Sequence, residues 1–335
     1  MKICLIRLDK IGDLIATLPV DQIPEIAAHH VSWAIAEGLA FIPVNAATPR
    51  RFTEIPLHDP AAGEMRLVEF LRQEQPDLAV IFHAPWWASK ALWRSGVQRR
   101  FGRRSWWHTN VFLNEGLWQS RSKGARHEAD YNLGLLLAAL KVPKDIVSAE
   151  RAAPQLRLAA PKMPELLAQF SLVESNYFVV HAGMGGSAMN WPIASYLALI
   201  ETLKSEKPVT LTGTANDEAW LAPLKQRIAN DPGGRILQKK LTTTELLAIL
   251  GHAAGVVAPS TGVVHLAASL GVPTVGIYSS LATQHPRRWA PRGPRAGFVV
   301  GPVARGEQEL SISMGHISPA VVAARLRELA EHDEA

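Results

Sequence analysis

The sequence predicts an α/β protein with two domains, each built on a parallel sheet. Its 335 residues are 47% hydrophobic and 19% charged, a globular composition with enough length for two domains of ordinary size. Short apolar runs alternate with amphipathic segments, which is typical of parallel sheets covered by helices. Prolines punctuate the stretch 141–165, so we place the domain boundary there. The expected parts are an N-terminal domain at 1–155, a C-terminal domain at 156–318, and a final helix at 319–335 that could pack back on the first domain.

The first domain opens with a strand, a tight loop and a helix. An apolar run at 2–8 predicts the strand, and Gly12 and Asp13 follow at the start of a helical pattern. Because open α/β sheets bind ligands at the carboxyl ends of their strands, Asp13 is a candidate functional residue. In the alternative interpretation Asp13 only caps or charges the helix N-terminus, which favours acids in any case. Further strands are predicted at 31–36 and 78–82, and further helices near 61–74 and 128–141.

The second domain begins with a strand at 177–180 and a Gly/Ser-rich loop at 181–192. Three glycines and a serine in this loop can wrap a phosphate with backbone N–H groups, although neither the Walker A nor the GxGxxG spacing is met. A further strand is predicted at 209–213, with helices at 216–228 and 244–250. By itself the loop is a weak signal for a phosphate site.

The clearest ligand-binding pattern is the strand, turn, helix and strand at 256–277. Ser260 or Thr261 can cap the helix, which leaves free N–H groups around Gly262. These groups and the helix dipole both attract an anion such as a phosphate. His265 lies four residues after Thr261, within reach of whatever the turn holds. The alternative is an ordinary strand–loop–helix unit with a histidine satisfied in the core.

Charge and cysteine content exclude several classes of protein. Charged residues interrupt the N-terminal apolar run and no 18 consecutive apolar residues occur, so we expect a cytoplasmic protein without signal peptide or membrane span. The single cysteine, Cys4, excludes an internal disulfide and a cysteine metal site. The GxGxxG fingerprint is absent, which argues against an oxidoreductase.

A basic, tryptophan-rich segment lies within the first domain. From Lys90 to Arg126 the chain has nine Lys or Arg and one acid, Glu115, a net charge of +8. Six of the ten tryptophans lie in or next to this segment. Basic groups mixed with Trp suit an anionic amphiphilic surface, with nucleic acid as the other candidate. Several of these tryptophans could instead be core residues.

Several motifs in one order resemble glycosyltransferase family 9, the heptosyltransferases of lipopolysaccharide core synthesis. The segment 7–13 is similar to the family's opening motif, 183–192 to its second-domain loop and 260–268 to its carboxyl-terminal signature. The segments 127–130 and 317–319 resemble less prominent motifs of the family, so the resemblance spans nearly the whole chain. It implies a GT-B fold, in which two Rossmann-like domains face each other across a cleft. The acceptor would bind to the first domain and the nucleotide-sugar mainly to the second.

The resemblance also implies an inverting transfer of a sugar, foremost heptose from ADP-heptose, without cofactor or catalytic metal. The absence of any Asp-x-Asp pair agrees with this. Such a transfer needs a carboxylate to take the acceptor's proton and donors to stabilise the leaving diphosphate. Asp13 matches the family's proposed base. The candidate donor-binding residues are Gly183, Gly186, Ser187, Asn216, Asp217, Ser260, Thr261, Gly262 and His265.

The implied acceptor is a lipid-linked anionic saccharide of the lipopolysaccharide-core kind. We expect the basic segment to face it, with the protein peripheral at the inner face of the inner membrane. Nucleic acid is the weaker candidate partner, because no nucleic-acid motif accompanies the charge. The candidate acceptor-binding residues are Arg99, Arg100, Arg103 and Arg104.

Two positions depart from the family's pattern. Family members often carry lysine where this chain has Met189, near the phosphates, and aspartate where it has Ser260, near the transferred sugar. We interpret both changes as altered donor specificity first and lost activity second. The alternatives are therefore a nucleotide-sugar-binding homologue with impaired catalysis, a family member with another donor sugar, and a related chemistry such as nucleotide-sugar epimerisation.

Overall fold

The computed structural model describes residues 1–105, 107–143, 151–184, 189–229, 231–238, 240–304 and 307–331. They form two compact units. The first unit comprises the described residues of Met1–Arg121 and Arg126–Leu156, and the second comprises Ser122–Ala125 with the described residues from Arg157 onwards. Each unit contains one six-stranded parallel sheet. The predicted α/β class with two Rossmann-like parallel sheets is therefore confirmed.

The first unit alternates strands and helices. Its strands are β1 (Lys2–Arg7), β2 (His30–Ala36), β3 (Arg51–Ile55), β4 (Leu78–His83), β5 (Arg99–Arg103) and β6 (Glu115–Leu117). Its helices are α1 (Ile11–Ile15), α2 (Phe41–Val44), α3 (Pro60–Glu74), α4 (Trp86–Arg94), α5 (Trp107–Phe112) and α6 (Glu128–Ala139). The strand order is β3-β2-β1-β4-β5-β6.

Burial explains why these segments form a sheet. Strands β1 and β4 are apolar on both faces, and Ile3, Leu5, Ile6 and Val80 are at most 1% exposed, as expected where helices cover both sides of a parallel sheet. Helix α3 begins at Asp59, whose carboxylate accepts from two backbone N–H groups of its first turn. Local signals and burial therefore agree in this unit.

The second unit repeats the same plan. Its strands are β7 (Phe178–His181), β8 (Val209–Thr212), β9 (Gly234–Ile236), β10 (Gly255–Pro259), β11 (Thr274–Tyr278) and β12 (Ala296–Val300). Its helices are α7 (Pro164–Gln169), α8 (Ile193–Lys204), α9 (Glu218–Ile228), α10 (Thr243–Gly251), α11 (Gly262–Ser269), α12 (Pro286–Trp289), α13 (Glu307–Gly315) and α14 (Pro319–Glu331). The strand order is β12-β11-β10-β7-β8-β9.

In both sheets the chain builds outward from a central strand and then returns to the other side of it. The order reverses between β1 and β4 in the first sheet and between β7 and β10 in the second. Loops that leave the carboxyl ends of two such strands run in opposite directions and open a crevice, where ligands of α/β sheets bind. Each unit therefore has one expected ligand edge.

The C-terminal helix α14 packs within the second unit, against α8 and the strands β10, β11 and β12. Its apolar face, with Val322 and Leu326 at most 1% exposed, joins the core there. The expectation that this helix could also pack back on the first domain stays a prediction. Among the described residues, none of the helices is both long and apolar enough to cross a membrane.

Candidate active site

The ligand edge of the first unit brings together charged residues from several elements. Arg7 ends β1, His83 ends β4, and the two are paired in the sheet register. Asp9 follows β1, and Asp13 lies in the first turn of α1. Because these positions share the carboxyl ends of the two strands where the order reverses, they form the candidate active site of this unit.

Arg7 is the centre of this edge and is only 2% exposed. Its Nε donates to Asp9 Oδ1, and its Nη2 forms an ion pair with Asp9 Oδ2, each at 2.8 Å. The same Nη2 donates to Asp13 Oδ1 at 2.5 Å. The Asp13 side chain keeps 21% of its surface exposed, so it can meet a ligand while it is ion-paired.

The capping alternative for Asp13 is only half right. Asp13 does lie in the acidic first turn of α1, but Lys10 occupies the N-cap position and no side chain caps the helix. The carboxylate bonds instead to Arg7. Its orientation is therefore set by tertiary structure and not by the helix end.

Helix α6 anchors the arginines from the other side. Glu128 and Asn132 are four residues apart, so both project from one face of the helix. The Arg121 Nη1 atom donates to Glu128 Oε1 at 2.5 Å and to Asn132 Oδ1 at 2.9 Å. Arg7 Nη1 lies 3.5 Å from the same two oxygen atoms. The buried charges are thus paired, as buried charges must be to avoid a large desolvation cost.

A second chain of hydrogen bonds fixes the backbone of α1. Asn132 Nδ2 donates to Thr17 Oγ1 at 2.9 Å, and the Thr17 hydroxyl donates to the backbone oxygen of Asp13 at 2.6 Å. Both Asn132 and Thr17 are fully buried. Asp13 is therefore held twice, through its side chain by Arg7 and through its backbone by Thr17.

Burial and neighbouring charge shift the protonation of these groups. Burial raises the pKa of Asp9 to about 6, in spite of the opposing effect of Arg7. Burial lowers the pKa of Arg121 to about 10, where the attraction of Glu128 resists the loss of charge. Desolvation of the imidazole, reinforced by the charges of Arg7 and Arg103, lowers the pKa of His83, so its ring is neutral at pH 7.

The ligand edge of the second unit is built from hydroxyls and backbone groups. Thr261 precedes α11 in an extended conformation, and its side chain does not cap the helix. The Thr261 hydroxyl oxygen is buried and has no hydrogen-bond partner among the described residues. Gly262 begins the helix, and His265, 6% exposed, lies one turn further on. A free N-terminal turn next to an unpaired hydroxyl suits an anion.

Ser260 is engaged in a local hydrogen-bond chain. Its side chain acts on the phenol of Tyr278, which is fully buried on β11, and lowers the pKa of that phenol against the larger effect of burial. The Tyr278 hydroxyl donates to the backbone oxygen of Trp289 at 2.5 Å. Burial raises the pKa of Tyr278, so the ring stays neutral beside the turn.

Of the loop residues predicted to bind the donor, Gly183 and Asp217 lie against each other. A Cβ atom at Gly183 would be 2.3 Å from Asp217 Oδ2, so this position requires glycine. Asp217 accepts hydrogen bonds from the Met184 N–H at 3.2 Å and from the Thr214 N–H and hydroxyl at 2.9 and 2.6 Å. The Asp217 carboxylate thus ties two loops together, whereas its neighbour Asn216 is exposed.

Two predicted donor-binding residues, Gly186 and Ser187, lie outside the described residues. Met189 is described, and its backbone N–H donates to Gln284 Oε1 at 3.2 Å. The sequence analysis did not identify His181, which ends β7 at the same edge and is hydrogen-bonded through Nδ1 to Thr212 Oγ1 at 3.0 Å. Burial lowers the pKa of His181 to about 4, so this histidine is neutral.

The four arginines predicted to bind the acceptor are half-buried, and each of them interacts with other residues of the protein. Arg99 bonds to both carboxylate oxygens of Glu115 at 2.7 and 2.9 Å. Arg100 donates to two backbone oxygens at 2.7 and 2.8 Å, and Arg104 donates to one at 2.9 Å. Arg103 differs in its position, because it ends β5 and so lies at the candidate ligand edge.

The tryptophans of the basic segment are mostly on the surface. Trp87 is 3% exposed and belongs to the core, in agreement with the alternative that some of these tryptophans are core residues. Trp86, Trp93, Trp107 and Trp118 are 49–70% exposed. The rings of Trp86 on α4 and Trp107 on α5 stack at 6.5 Å between centroids. Trp106 lies outside the described residues.

In the first unit, the site residues that the sequence analysis did not identify are marked only by weak sequence signals. Arg7 and Asp9 stand inside the opening motif beside Asp13, and Glu128 stands within the minor landmark at 127–130. The spacing of Glu128 and Asn132 indicates a shared helix face but not what that face contacts.

Comparisons with known proteins agree with this architecture. Residues 67–310 match the model of glycosyltransferase family 9 (heptosyltransferase). A Haemophilus influenzae protein named "Putative glycosyltransferase" is 26% identical over 310 residues, which cover 87% of this chain and 86% of that protein. The E. coli ADP-heptose lps heptosyltransferase II has a similar structure, with a TM-score of 0.78, 18% identity and full coverage of both chains. E. coli heptosyltransferase WaaC with ADP gives a TM-score of 0.72 at 18% identity, over 98% of this chain and 100% of that one.

Proposed function

The chain belongs to glycosyltransferase family 9, and from this premise we propose that it is an inverting, metal-independent enzyme acting on a saccharide hydroxyl. The proposed donor is a nucleotide-diphosphate sugar, foremost ADP-heptose, and the proposed acceptor is a lipid-linked saccharide of the lipopolysaccharide-core kind. The observation that carries the proposal is the Asp13 carboxylate. It is oriented by a buried arginine at the ligand edge of the first sheet and remains partly exposed.

In the proposed reaction, Asp13 takes the proton of the acceptor hydroxyl. The acceptor oxygen then forms a bond to the anomeric carbon as the bond from that carbon to the diphosphate breaks. A positioned carboxylate contributes about 10²–10⁴-fold to such a step. Because attack comes from the side opposite the leaving group, the configuration of the sugar inverts.

The donor's diphosphate is assigned, within this proposal, to the N-terminal turn of α11. Two features support the assignment: the free N–H groups that begin at Gly262 and the buried, unpartnered hydroxyl of Thr261. Both can strengthen their hydrogen bonds as negative charge develops on the leaving group. Structures of E. coli heptosyltransferase WaaC with ADP and with ADP-2-deoxy-2-fluoro heptose support an adenine nucleotide as the first donor to test.

The acceptor is assigned to the first unit, with Arg103 as the first residue to contact its anionic groups. Arg103 lies at the ligand edge, and its charge acts on both His83 and Arg121. The exposed, stacked Trp86 and Trp107 support a peripheral contact with the lipid that carries the acceptor.

A second candidate function is donor binding without efficient transfer, and Met189 favours it. A cation close to the phosphates would stabilise the leaving group, whereas Met189 offers an apolar side chain and a backbone N–H already bonded to Gln284. This candidate predicts normal nucleotide binding and very slow turnover.

The deciding experiment is a transfer assay with purified protein, ADP-heptose and a lipopolysaccharide-core acceptor, read by mass spectrometry of the product. We expect an acceptor enlarged by one sugar. ADP binding without product in wild-type protein would favour the second candidate. Turnover of other nucleotide-sugars in preference to ADP-heptose would retain the reaction and replace the donor.

A further inference from the structure

Two carboxylates share one buried guanidinium at the proposed base. Asp9 binds Arg7 side-on, through Nε and Nη2 at 2.8 Å each, and Asp13 accepts from the same Nη2 at 2.5 Å. Arg7 is 2% exposed, whereas Asp9 and Asp13 are 17% and 21% exposed. The three groups therefore behave as one unit, with a single positive charge between two negative ones.

This arrangement matters because an arginine beside a general base normally weakens it. An opposite charge within about 4–6 Å favours the ionised carboxylate and lowers its pKa by about 1–3 units. A carboxylate stabilised in this way accepts a proton less readily in the transition state. Arg7 alone would hold Asp13 in position and at the same time reduce its reactivity.

The remaining charges around the unit come from other elements and largely offset one another. Arg121 and Glu128 pair at 2.5 Å beside α6. His83 on β4 is neutral at pH 7 because its pKa is lowered. Arg103 on β5 adds a positive charge at the edge. Lys10, between the two carboxylates in sequence, is exposed to solvent.

Asp9 is thus the group best placed to balance Arg7. It lies 2.8 Å from two nitrogen atoms of the guanidinium, whereas Asp13 accepts a hydrogen bond from one of them. It is also more buried than Asp13, and its hydrogen bond and its ion pair are both made with Arg7. A carboxylate in that position cancels the charge of Arg7 without competing for the acceptor.

We propose that Asp9 is a positioning residue for the transfer: by neutralising Arg7, it allows the guanidinium to orient Asp13 while Asp13 keeps its ability to accept a proton. The inference rests on the proposed function, since it takes Asp13 as the base. The inference predicts shifts of opposite sign in the pH dependence of the two variants, because removing Asp9 and removing Arg7 change the charge next to Asp13 in opposite directions.

The first test compares the pH dependence of the transfer rate in Asp9→Asn, Arg7→Gln and wild-type protein. We expect the acidic limb of the profile to move down by about one to two pH units in Asp9→Asn, where Arg7 keeps the more distant Glu128 but has lost the carboxylate that offsets it beside Asp13, and up by a similar amount in Arg7→Gln. The Asp9→Asn variant should also lose about 3- to 30-fold in its plateau rate, since a less basic carboxylate is a poorer base. Arg7→Lys keeps the charge and should leave the limb near its wild-type position.

The matched control is Asp21→Asn. Asp21 also binds an arginine side-on, Arg50, at 2.7 and 2.8 Å, in the same unit, and this pair makes no hydrogen bond with Arg7 or Asp13 among the described residues. Its loss should lower the thermal stability without moving the acidic limb. Thermal unfolding shows whether Arg7→Gln is folded. If it is not, the acidic limbs of Asp9→Asn, Arg7→Lys and wild-type protein are compared instead.

The second test needs no substrate. The protein is labelled at its aspartate carboxyl carbons and titrated by NMR. The Asp13 signal is the one that disappears in Asp13→Asn, and its titration gives the protonation midpoint of Asp13 directly. We expect that midpoint to fall in Asp9→Asn and to be unchanged in Asp21→Asn. An unchanged midpoint in Asp9→Asn, or shifts of the same sign in Asp9→Asn and Arg7→Gln, would overturn the inference. Failure of the proposed function would appear differently, as wild-type protein without transfer.

Discussion

The ligand edges of the two units have the same topology but opposite chemistry. In the first, the reversal of strand order gathers Arg7, Asp9, Asp13 and Glu128, all charged and tied into buried ion pairs. In the second, the equivalent reversal gathers mainly neutral groups, namely the hydroxyl of Thr261, backbone N–H groups and a neutral histidine, with the Asp217 carboxylate beside the loop that follows β7. The comparison teaches that the residues that follow the central strands give two edges of the same topology different chemistry, which we propose serves proton transfer at the first edge and anion binding at the second.

The sharpest way to break this comparison is to remove the proposed base. Asp13→Asn should reduce the transfer rate by about 10²–10⁴-fold, because the proton acceptor is lost while a similar shape remains. ADP affinity, measured by calorimetry, should stay within about two-fold, since the donor is assigned to the other edge. A variant that retains more than a third of the wild-type rate would show that Asp13 is not the base.

Removing the unpaired hydroxyl tests the second edge. Thr261→Val should weaken ADP binding by about 10- to 100-fold, because a hydrogen bond to a charged phosphate is worth about 1.5–3 kcal/mol. The control is Thr202→Val, which removes a hydroxyl that bonds to the backbone of its own helix, α8, at 2.9 Å. Equal ADP affinity in Thr261→Val and Thr202→Val, measured by calorimetry, would contradict the assignment.

A smaller effect is expected where the first edge meets the acceptor. Arg103→Ser should raise the acceptor KM by about 3- to 10-fold, more at low salt than at high salt, since charge attraction is screened. Arg100→Ser is the control, because Arg100 donates to the backbone oxygens of Val97 and Phe112 and should affect stability instead. Steady-state kinetics at two ionic strengths separate the two variants, and the proposal fails if both raise KM alike.

The smallest expected effect is that of a chelator. In the proposed reaction hydrogen-bond donors at the second edge stabilise the leaving diphosphate, so EDTA should leave the transfer rate unchanged within error. The measurement is the initial rate before and after dialysis against EDTA. Activity lost to EDTA and restored by Mg²⁺ or Mn²⁺ would contradict metal independence.

The fold was predictable from the sequence because its main signals are local. The apolar runs at β1, β4 and β7 are buried on both faces, and their periodicity and flanking glycines and prolines do not depend on distant contacts. Strand β5 escaped prediction because its sequence, RRFGR, has the charge of a surface segment. Its arginines become half-buried only because Glu115 and backbone oxygens satisfy them.

The candidate site was only partly predictable, for the same physical reason. Thr261 and Gly262 belong to one turn, so their relation to an anion follows from local sequence. The anchoring of Asp13 depends on Glu128 and Asn132, which no spacing rule connects to a residue more than a hundred positions earlier.

The distance along the chain between Arg7 and Glu128, 121 residues, also governs when the site can form. A nascent chain that has emerged as far as Leu117 contains the six strands of the first sheet but lacks α6. During synthesis the sheet can therefore assemble before the anchors of Arg7 and Thr17 exist. The residues that anchor the proposed base are therefore synthesised after the strands that carry it, so a partly made protein has the strands of the sheet without the side chains that orient Asp13.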